Sequence, residues 1–346
     1  MSGRRRQAML AGLVVLTLLV TLVVLLGLAV GSRHLPLADV VLALQGHDVG
    51  DTTVIVLEQR LPRTLLGVLV GAALGMGGAI AQGVTRNPLA DPALLGVSAG
   101  AALAIVVGTL MFGVTALAGQ IPIAVLGATF AGAAVLGLSH GQRMGHGGAA
   151  PGRRLTTPVG LALIGLAASS IMVSITSTLV LLDARTLDEY RLWLVGSLAG
   201  KGSPTLIMVA PIMIVGMAMA ALTARSLDAL ALGDDIAQGL GVRIHRTRMT
   251  AGLMVVILTG TAVAAVGPIA FIGLAVPHAA RALTGARHRW LLWYAALLGA
   301  ATLVIADVVG RVVAAPNELQ AGVVTAFVGA PFVLALLRRT QVADML

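Results

Sequence analysis

Cysteine is absent from this chain of 346 residues. Disulfides, thiolate metal sites and iron–sulfur clusters are therefore excluded. Charged residues make up only 11%, and lysine occurs once, as Lys201. With 58% hydrophobic residues, a soluble domain of this composition would expose far too much apolar surface. Aromatics reach only 3%, leaving a thin interfacial belt around Trp193, Trp290 and Trp293. The loop GxxxxGK[ST] is missing, as are HExxH and GxSxG, so the chain shows no signature of its own for nucleotide, zinc or serine-hydrolase chemistry. The seven histidines are scattered without ligand spacing. No cofactor, metal or catalytic set can be named.

What is present is a series of apolar runs, each long enough to cross a bilayer, and this defines a polytopic membrane protein. The 43 glycines fit that class, because small residues let membrane helices approach closely. The N-terminus, MSGRRRQAMLAGLVVLTLLVTLVVLLGLAV, has an apolar run longer than a typical signal-peptide core and no clear cleavage site after it, so it reads as a retained first span. Spans are expected at 8–31, 62–83, 93–113, 121–139, 158–182, 204–224, 291–313 and 320–337. The stretch 249–281 would make a single helix of about 50 Å at ~1.5 Å per residue, against a core of about 30 Å. Pro268 divides it, and arginines lie beyond both ends, so two short crossings are expected. That makes an all-α protein of ten transmembrane helices with both termini cytoplasmic.

Charge supports this count. With Arg4, Arg5 and Arg6 inside, the clusters Arg143/Arg153/Arg154, Arg225/Arg243/Arg246/Arg248, Arg281/Arg287/Arg289 and Arg338/Arg339 also fall inside, as the positive-inside rule requires. Asp39, Asp48, Asp51, Glu58, Asp183, Asp188, Glu189 and Glu318 fall outside. The net charge of +9 is thus an orientation signal, and basic residues dispersed over short loops argue against nucleic acid. GAALGMGGAIA (71–81) and GTAVAAVGPIA (260–270) match at Gly71/Gly260, Ala73/Ala262, Gly78/Gly267, Ile80/Ile269 and Ala81/Ala270. The two copies run in opposite directions, the form of an inverted transporter repeat; chance in a Gly- and Ala-rich chain accounts for them equally well.

Four polar interruptions carry the candidate sites. RNPLADP (86–92) joins an inward span to an outward one, and its two prolines forbid a continuous helix; a plain tight hairpin would explain it. RLPR places Arg60 and Arg63 at the outer end of the second span, either as interfacial snorkelling or as a basic patch for an acidic partner. SLDALALGDDIAQGLGVRIHRTR (226–248) spaces Leu232, Ile236 and Leu240 on one helical face opposite Asp234, Asp235 and Gln238, before Gly241 breaks the pattern. It reads as two short helices outside the membrane, whose apolar face needs a surface to bury against. Asp307 lies within a span. An intramembrane carboxylate is a functional candidate, but Arg311 at i+4 offers an ion pair as the simpler account.

RLPR, the glycine-rich span, NPLADPALLGVSAGA, LGDDIAQGLGV, GPIAFIGLAVPHAAR and PNELQAGVVTAFVGAPF occur in order from about residue 33 to the C-terminus. The ordered set resembles the permease family of bacterial ATP-binding-cassette importers for iron–siderophores, vitamin B12 and haem. The resemblance implies one permease domain over 1–346 with two pseudo-symmetric inverted halves. Its parts are a first span to residue 32, an external connection at 33–60, spans two to six over 61–225, cytoplasmic coupling helices at 226–248 and spans seven to ten over 249–346. It further implies residence in the bacterial cytoplasmic membrane and pairing with a second permease subunit, the same or a related chain. Two cytoplasmic ATPase subunits would bind ATP and Mg, and an extracytoplasmic binding protein would deliver cargo.

The resemblance also implies roles for residues. Arg60, Arg63 and Arg311 would meet acidic residues of the binding protein, which leaves the Asp307–Arg311 pair in question. Asn87 and Leu89 would form a cytoplasmic gate, with Thr156 and Thr157 as a second layer. Asp228, Leu232, Gly233, Asp234, Asp235, Ile236, Gln238, Leu240 and Gly241 would belong to the ATPase coupling helices. Pro277-His278 is typical of the family and reads as packing and helix breaking. Ferric siderophore is the expected cargo, with haem and vitamin B12 as alternatives. A proton-coupled carrier using Asp307 and a membrane scaffold are the readings from other classes.

Overall fold

The computed structural model describes residues 3–31, 33, 35–141 and 158–343, and all regular structure among them is helical. Thr156, Thr157 and the Gly-rich insert 142–154 lie outside the described residues. The chain begins with α1 (Gly3–Ala29) and a short α2 (Leu37–Leu44). A long helix follows: α3 (Asp51–Val54), a π-helical stretch at Ile55–Arg60 and α4 (Leu61–Thr85). Pro62 supplies no amide hydrogen to the preceding turn, and the wider π turn just before it lets the helix continue past that gap. At ~1.5 Å per residue the whole runs about 50 Å, so its first turns project beyond a core of about 30 Å. The connection at 33–60, expected to be external, is helical for much of its length.

A 3-10 turn (Pro92–Leu95) leads to α5 (Val97–Phe112), α6 (Leu117–Gly141), α7 (Pro158–Val180), α8 (Ala184–Leu194) and α9 (Ser203–Leu222). Two short helices follow, α10 (Ala224–Leu230) and α11 (Asp234–Gly239), then α12 (Ile244–Val266), α13 (Ile272–Thr284), α14 (His288–Val313) and α15 (Ala321–Ala343). Seven helices are long and apolar enough to cross a membrane, and Val97–Phe112 and Ala321–Ala335 are shorter apolar helices. The stretch expected to divide at Pro268 does so. Helix α12 ends at Val266, Gly267 turns with φ +79°, and Phe271 adopts φ +68° just before α13. With 13 residues, α13 spans only about 20 Å. The match between 71–81 and 260–270 is not a match in conformation throughout, since the first copy is helical to its end and the second leaves the helix before Gly267.

Helix α4 is the axis of the fold. It is buried along most of its length, and its contact with α14 is the most extensive in the molecule, followed on its other sides by α12, α13 and α9. A Cβ on Gly71 would collide with the Gly299 carbonyl, and one on Gly75 with the Ala295 carbonyl. Glycines four apart on α4 thus face Ala295 and Gly299, four apart on α14, with backbone against backbone. On α13, Pro277 lacks the N–H that would bond the Gly273 carbonyl, and that carbonyl lies against Gly78. Helix α13 runs on through Pro277, so this proline frees a carbonyl without ending the helix. Helix α1 rests outside this core on α14, where the Tyr294 hydroxyl donates to the Met9 carbonyl at 2.9 Å. Leu18, Phe130, Leu181 and Ile207 are among many large apolar side chains left exposed, as the lipid-facing surface of a membrane protein requires.

Candidate functional site

Polar residues gather at the two ends of α4. At its N-terminal end, Arg60 is buried. Its Nη1 donates to the carbonyls of Leu28 and Ala29, both at 2.8 Å, and its Nη2 to that of Arg33 at 2.6 Å. Leu28 and Ala29 end α1, so the guanidinium satisfies carbonyls that have no helical partner and sits at the negative end of the helix dipole. Arg63 donates through Nε and Nη2 to Asp307, at 2.7–3.1 Å, and through Nη1 to Glu318 at 2.8 Å. Arg311 is 2% exposed, donates to the Gly27 carbonyl at 3.0 Å and lies 3.2 Å from Asp307 Oδ2.

Asp307, also 2% exposed, therefore lies between two guanidinium groups. The i+4 partner expected from sequence is in place, but the shorter bonds come from Arg63, 244 positions away. The structure brings RLPR, Asp307 and Arg311 into one cluster. Sequence reasoning missed Glu318, which stands in the PNELQ segment between α14 and α15, and Lys201. Both line the same outer cavity of about 540 Å³ with Arg33, Glu58, Arg60 and Arg311.

At its C-terminal end, Arg86 terminates α4 in a left-handed conformation (φ +51°). The turn after it is built locally. Asn87 Oδ1 accepts from the Leu89 amide at 2.9 Å, and the Asn87 carbonyl accepts from Ala90 at 3.1 Å. Asp91 then caps the 3-10 turn by accepting from the Ala93 amide at 2.8 Å. Burial pushes the Asp91 carboxyl above the usual carboxylate range, and the Ala93 amide opposes that shift. Asn87 and Leu89 remain exposed. Asp91, Pro92 and Ala93 line a second, mostly apolar cavity of about 850 Å³, together with Leu74, Ile269 and Phe327.

The expected pair of short helices is α10 and α11. Their boundary falls at Gly233 (φ +116°), so Leu232 lies in the turn and not within one helix with Ile236 and Leu240. Gly241 (φ +81°) ends the pair before α12. Leu232, Ile236 and Leu240 are 59%, 54% and 63% exposed, while Ala237 packs inward. Asp234 pairs with Arg86, at the end of α4, and with Arg248 at 3.0 Å. Asp235, Gln238 and Gly239 are exposed. Asp228 faces inward instead. Its Oδ1 accepts from the His288 amide at 2.6 Å and lies 3.0 Å from His288 Nδ1, holding the N-terminus of α14.

One end of the bundle thus presents apolar side chains on two short helices, tied by the Asp234–Arg86 ion pair to a braced turn, and the other end presents a basic cavity. Among the described residues no group of histidine or acidic side chains could hold a metal ion. Comparison with known proteins shows the family. The ferric enterobactin transport system permease protein FepD of Escherichia coli (strain K12) is 44% identical over 325 residues, with 94% of each chain covered. The Fe(3+) dicitrate transport system permease protein FecD of the same organism is 41% identical, covering 83% of this chain and 86% of that protein. A solved structure described as an inward-facing conformation of a metal-chelate type ABC transporter superposes with a TM-score of 0.80 at 27% identity, covering 94% of this chain and 98% of that one. The model of the FecCD transport family matches residues 18–339, and the chain belongs to that family, whose members are multi-pass membrane permeases of ATP-driven importers.

Proposed function

We propose that this chain carries ferric siderophores across the bacterial cytoplasmic membrane, as the permease subunit of an importer in which separate ATPase subunits hydrolyse ATP. The cargo class rests on the relatives, which are named for ferric enterobactin and ferric dicitrate; a cobalamin permease at 38% identity makes vitamin B12 the runner-up. The carrying observation for ATP coupling is the exposed apolar set Leu232, Ile236 and Leu240, joined through Asp234 to Arg86 and the Asn87–Asp91 turn. Such a set buries itself in a cleft of an ATPase, and motion of that subunit reaches the turn directly. Asn87 and Leu89, exposed on this turn, narrow the exit when a second permease subunit faces them. The topology is ten crossings with cytoplasmic termini, counting α13 as a half-length crossing supported by α4 and α14. On the outer side, the basic cavity receives acidic side chains of a binding protein. Asp307, enclosed by Arg63 and Arg311, serves as their counter-ion, which argues against a proton-carrying role.

Reconstitution tests the reading. The chain, its partner permease, the ATPase and the binding protein in proteoliposomes should accumulate ⁵⁵Fe-enterobactin or ferric citrate only when ATP is enclosed on the ATPase side. Uptake driven by a proton gradient without ATP would overturn the mechanism, and uptake of cobalamin in place of iron chelates would overturn the cargo.

A further inference from the structure

The outer cavity contains more positive charge than its internal bonds consume. Arg60 gives its hydrogen bonds to backbone carbonyls and Arg63 to two carboxylates. These two form a fixed floor. Arg33 reaches Asp51 at 3.5 Å on the exposed rim. Lys201 stands apart from all of them. It sits in Gly200–Lys201–Gly202, between α8 and α9, and lines the cavity opposite the arginines' helix. It is partly buried, yet among the described residues its ammonium has no hydrogen-bond or ion-pair partner. Burial pushes its pKa below the usual lysine value, and no carboxylate opposes the shift. Arg311 adds a second deficit, because its buried Nε and Nη2 lack hydrogen-bonding partners, and Nη2 meets Asp307 only as a neighbouring charge. A partly buried, unpartnered ammonium in a cavity that Arg33, Arg60, Arg63 and Arg311 also line is a site short of one anion.

We infer that Lys201 is the cation that engages the partner at this cavity, with its ammonium receiving a surface carboxylate of the binding protein while Arg60 and Arg63 hold the floor beneath. This deepens the docking reading above and rests on it. The basic cavity shares no lining residue with the apolar cavity beside Asp91, and on the docking reading its carboxylate belongs to the arriving protein and not to a free chelate. Lysine is well matched to such a contact, since its flexible stem and three rotatable donors can follow a partner that arrives and leaves, whereas the arginines are locked in fixed forks.

The test uses the assembled permease–ATPase complex in nanodiscs and the binding protein isolated with it. Because the chain has one lysine, a water-soluble acylating reagent should modify Lys201, and bound partner should protect it, as read by mass spectrometry of the wild-type complex. Lys201→Gln should weaken partner binding ~10-fold or more, as expected for loss of one side of a desolvated charge pair, while Lys201→Arg should restore most of the affinity. Thermal melting and ATPase retention of both variants report folding, and the protection measurement needs no variant. Unchanged affinity in folded Lys201→Gln, with the partner still shielding a maleimide-reactive Gln59→Cys at the same cavity, would overturn the role of Lys201 and leave the docking reading intact. No shielding at either position would overturn the docking reading itself. Protection of Lys201 by millimolar citrate without the binding protein would overturn the assignment of the carboxylate to a protein.

Discussion

Asp307 illustrates how a residue suspected of chemistry can be held by structure. Two guanidinium groups enclose it, one of them bidentate, and the alternative partners in a membrane interior are few. Asp307→Ala would leave Arg63 and Arg311 buried with one carboxylate fewer between them, and loss of one member of such a cluster costs on the order of 3–5 kcal/mol. The expected outcome is a marked fall in thermal stability in detergent. Asp307→Asn keeps the volume and an acceptor oxygen, so whatever fraction of it folds should still transport with ATP. A fully folded Asp307→Asn that carries nothing would return this residue to the role of proton site. Arg60 behaves differently. Arg60→Lys keeps the charge but gives up the planar fork that spans three carbonyls, so loosening should be confined to the end of α1, visible as faster hydrogen exchange around Leu28 and Ala29.

Between elements, the close approach of α4 to α14 depends on small residues, with the Arg63–Asp307 pair at one end. Gly75→Val would drive a branched side chain into the Ala295 carbonyl. Overpacking typically costs about 1–3 kcal/mol, and more where backbone is the obstacle. The variant should be recovered in much lower yield and should aggregate on size exclusion, whereas Gly137→Val, at a position with open space around it, should behave as wild type. Much at this scale could be read from the sequence, because its signals are local. Pro268 divides a stretch too long for one crossing, Pro88 and Asp91 stop a helix, and Gly233 and Gly241 bracket a short one. Helix α8 was not legible, since it is short, amphipathic and flanked by longer apolar runs. Lys201 and Glu318 were not legible as members of the outer cluster either. Their meeting with RLPR is made across separations of well over a hundred residues, by helix packing that no local pattern encodes. The split of 71–81 and 260–270 into different conformations has the same origin, with Gly267 closed against the Trp193 carbonyl and the Gly196 backbone, far away in sequence.

For the whole molecule, the two central helices connect its two polar ends. Helix α4 begins beside Arg60 and Arg63 and ends at Arg86, bound to Asp234 of α11. Helix α14 begins at His288, bound to Asp228 of α10, and ends beside Asp307 and Arg311. Packed backbone to backbone, the pair cannot slide or bend independently, so on the proposed coupling a displacement of the short helices α10 and α11 would be delivered to the basic cavity as rigid-body motion. The inner ties are the weak links in this path, since Asp234 is partly exposed and Asp228 holds α14 only through its first residue. Asp228→Asn combined with Asp234→Asn should therefore leave the apolar face of Leu232, Ile236 and Leu240 free to bind the ATPase, and leave the outer cavity intact. Basal ATP hydrolysis and partner affinity should stay near wild type, while stimulation of hydrolysis by the loaded binding protein should fall steeply, along with uptake. Separate measurement of the three quantities in one nanodisc preparation decides the matter. Stimulation that survives the double substitution would mean that coupling reaches the gate by another route, through the packing of α10 and α11 on α12, and that the α4–α14 pair is scaffold alone.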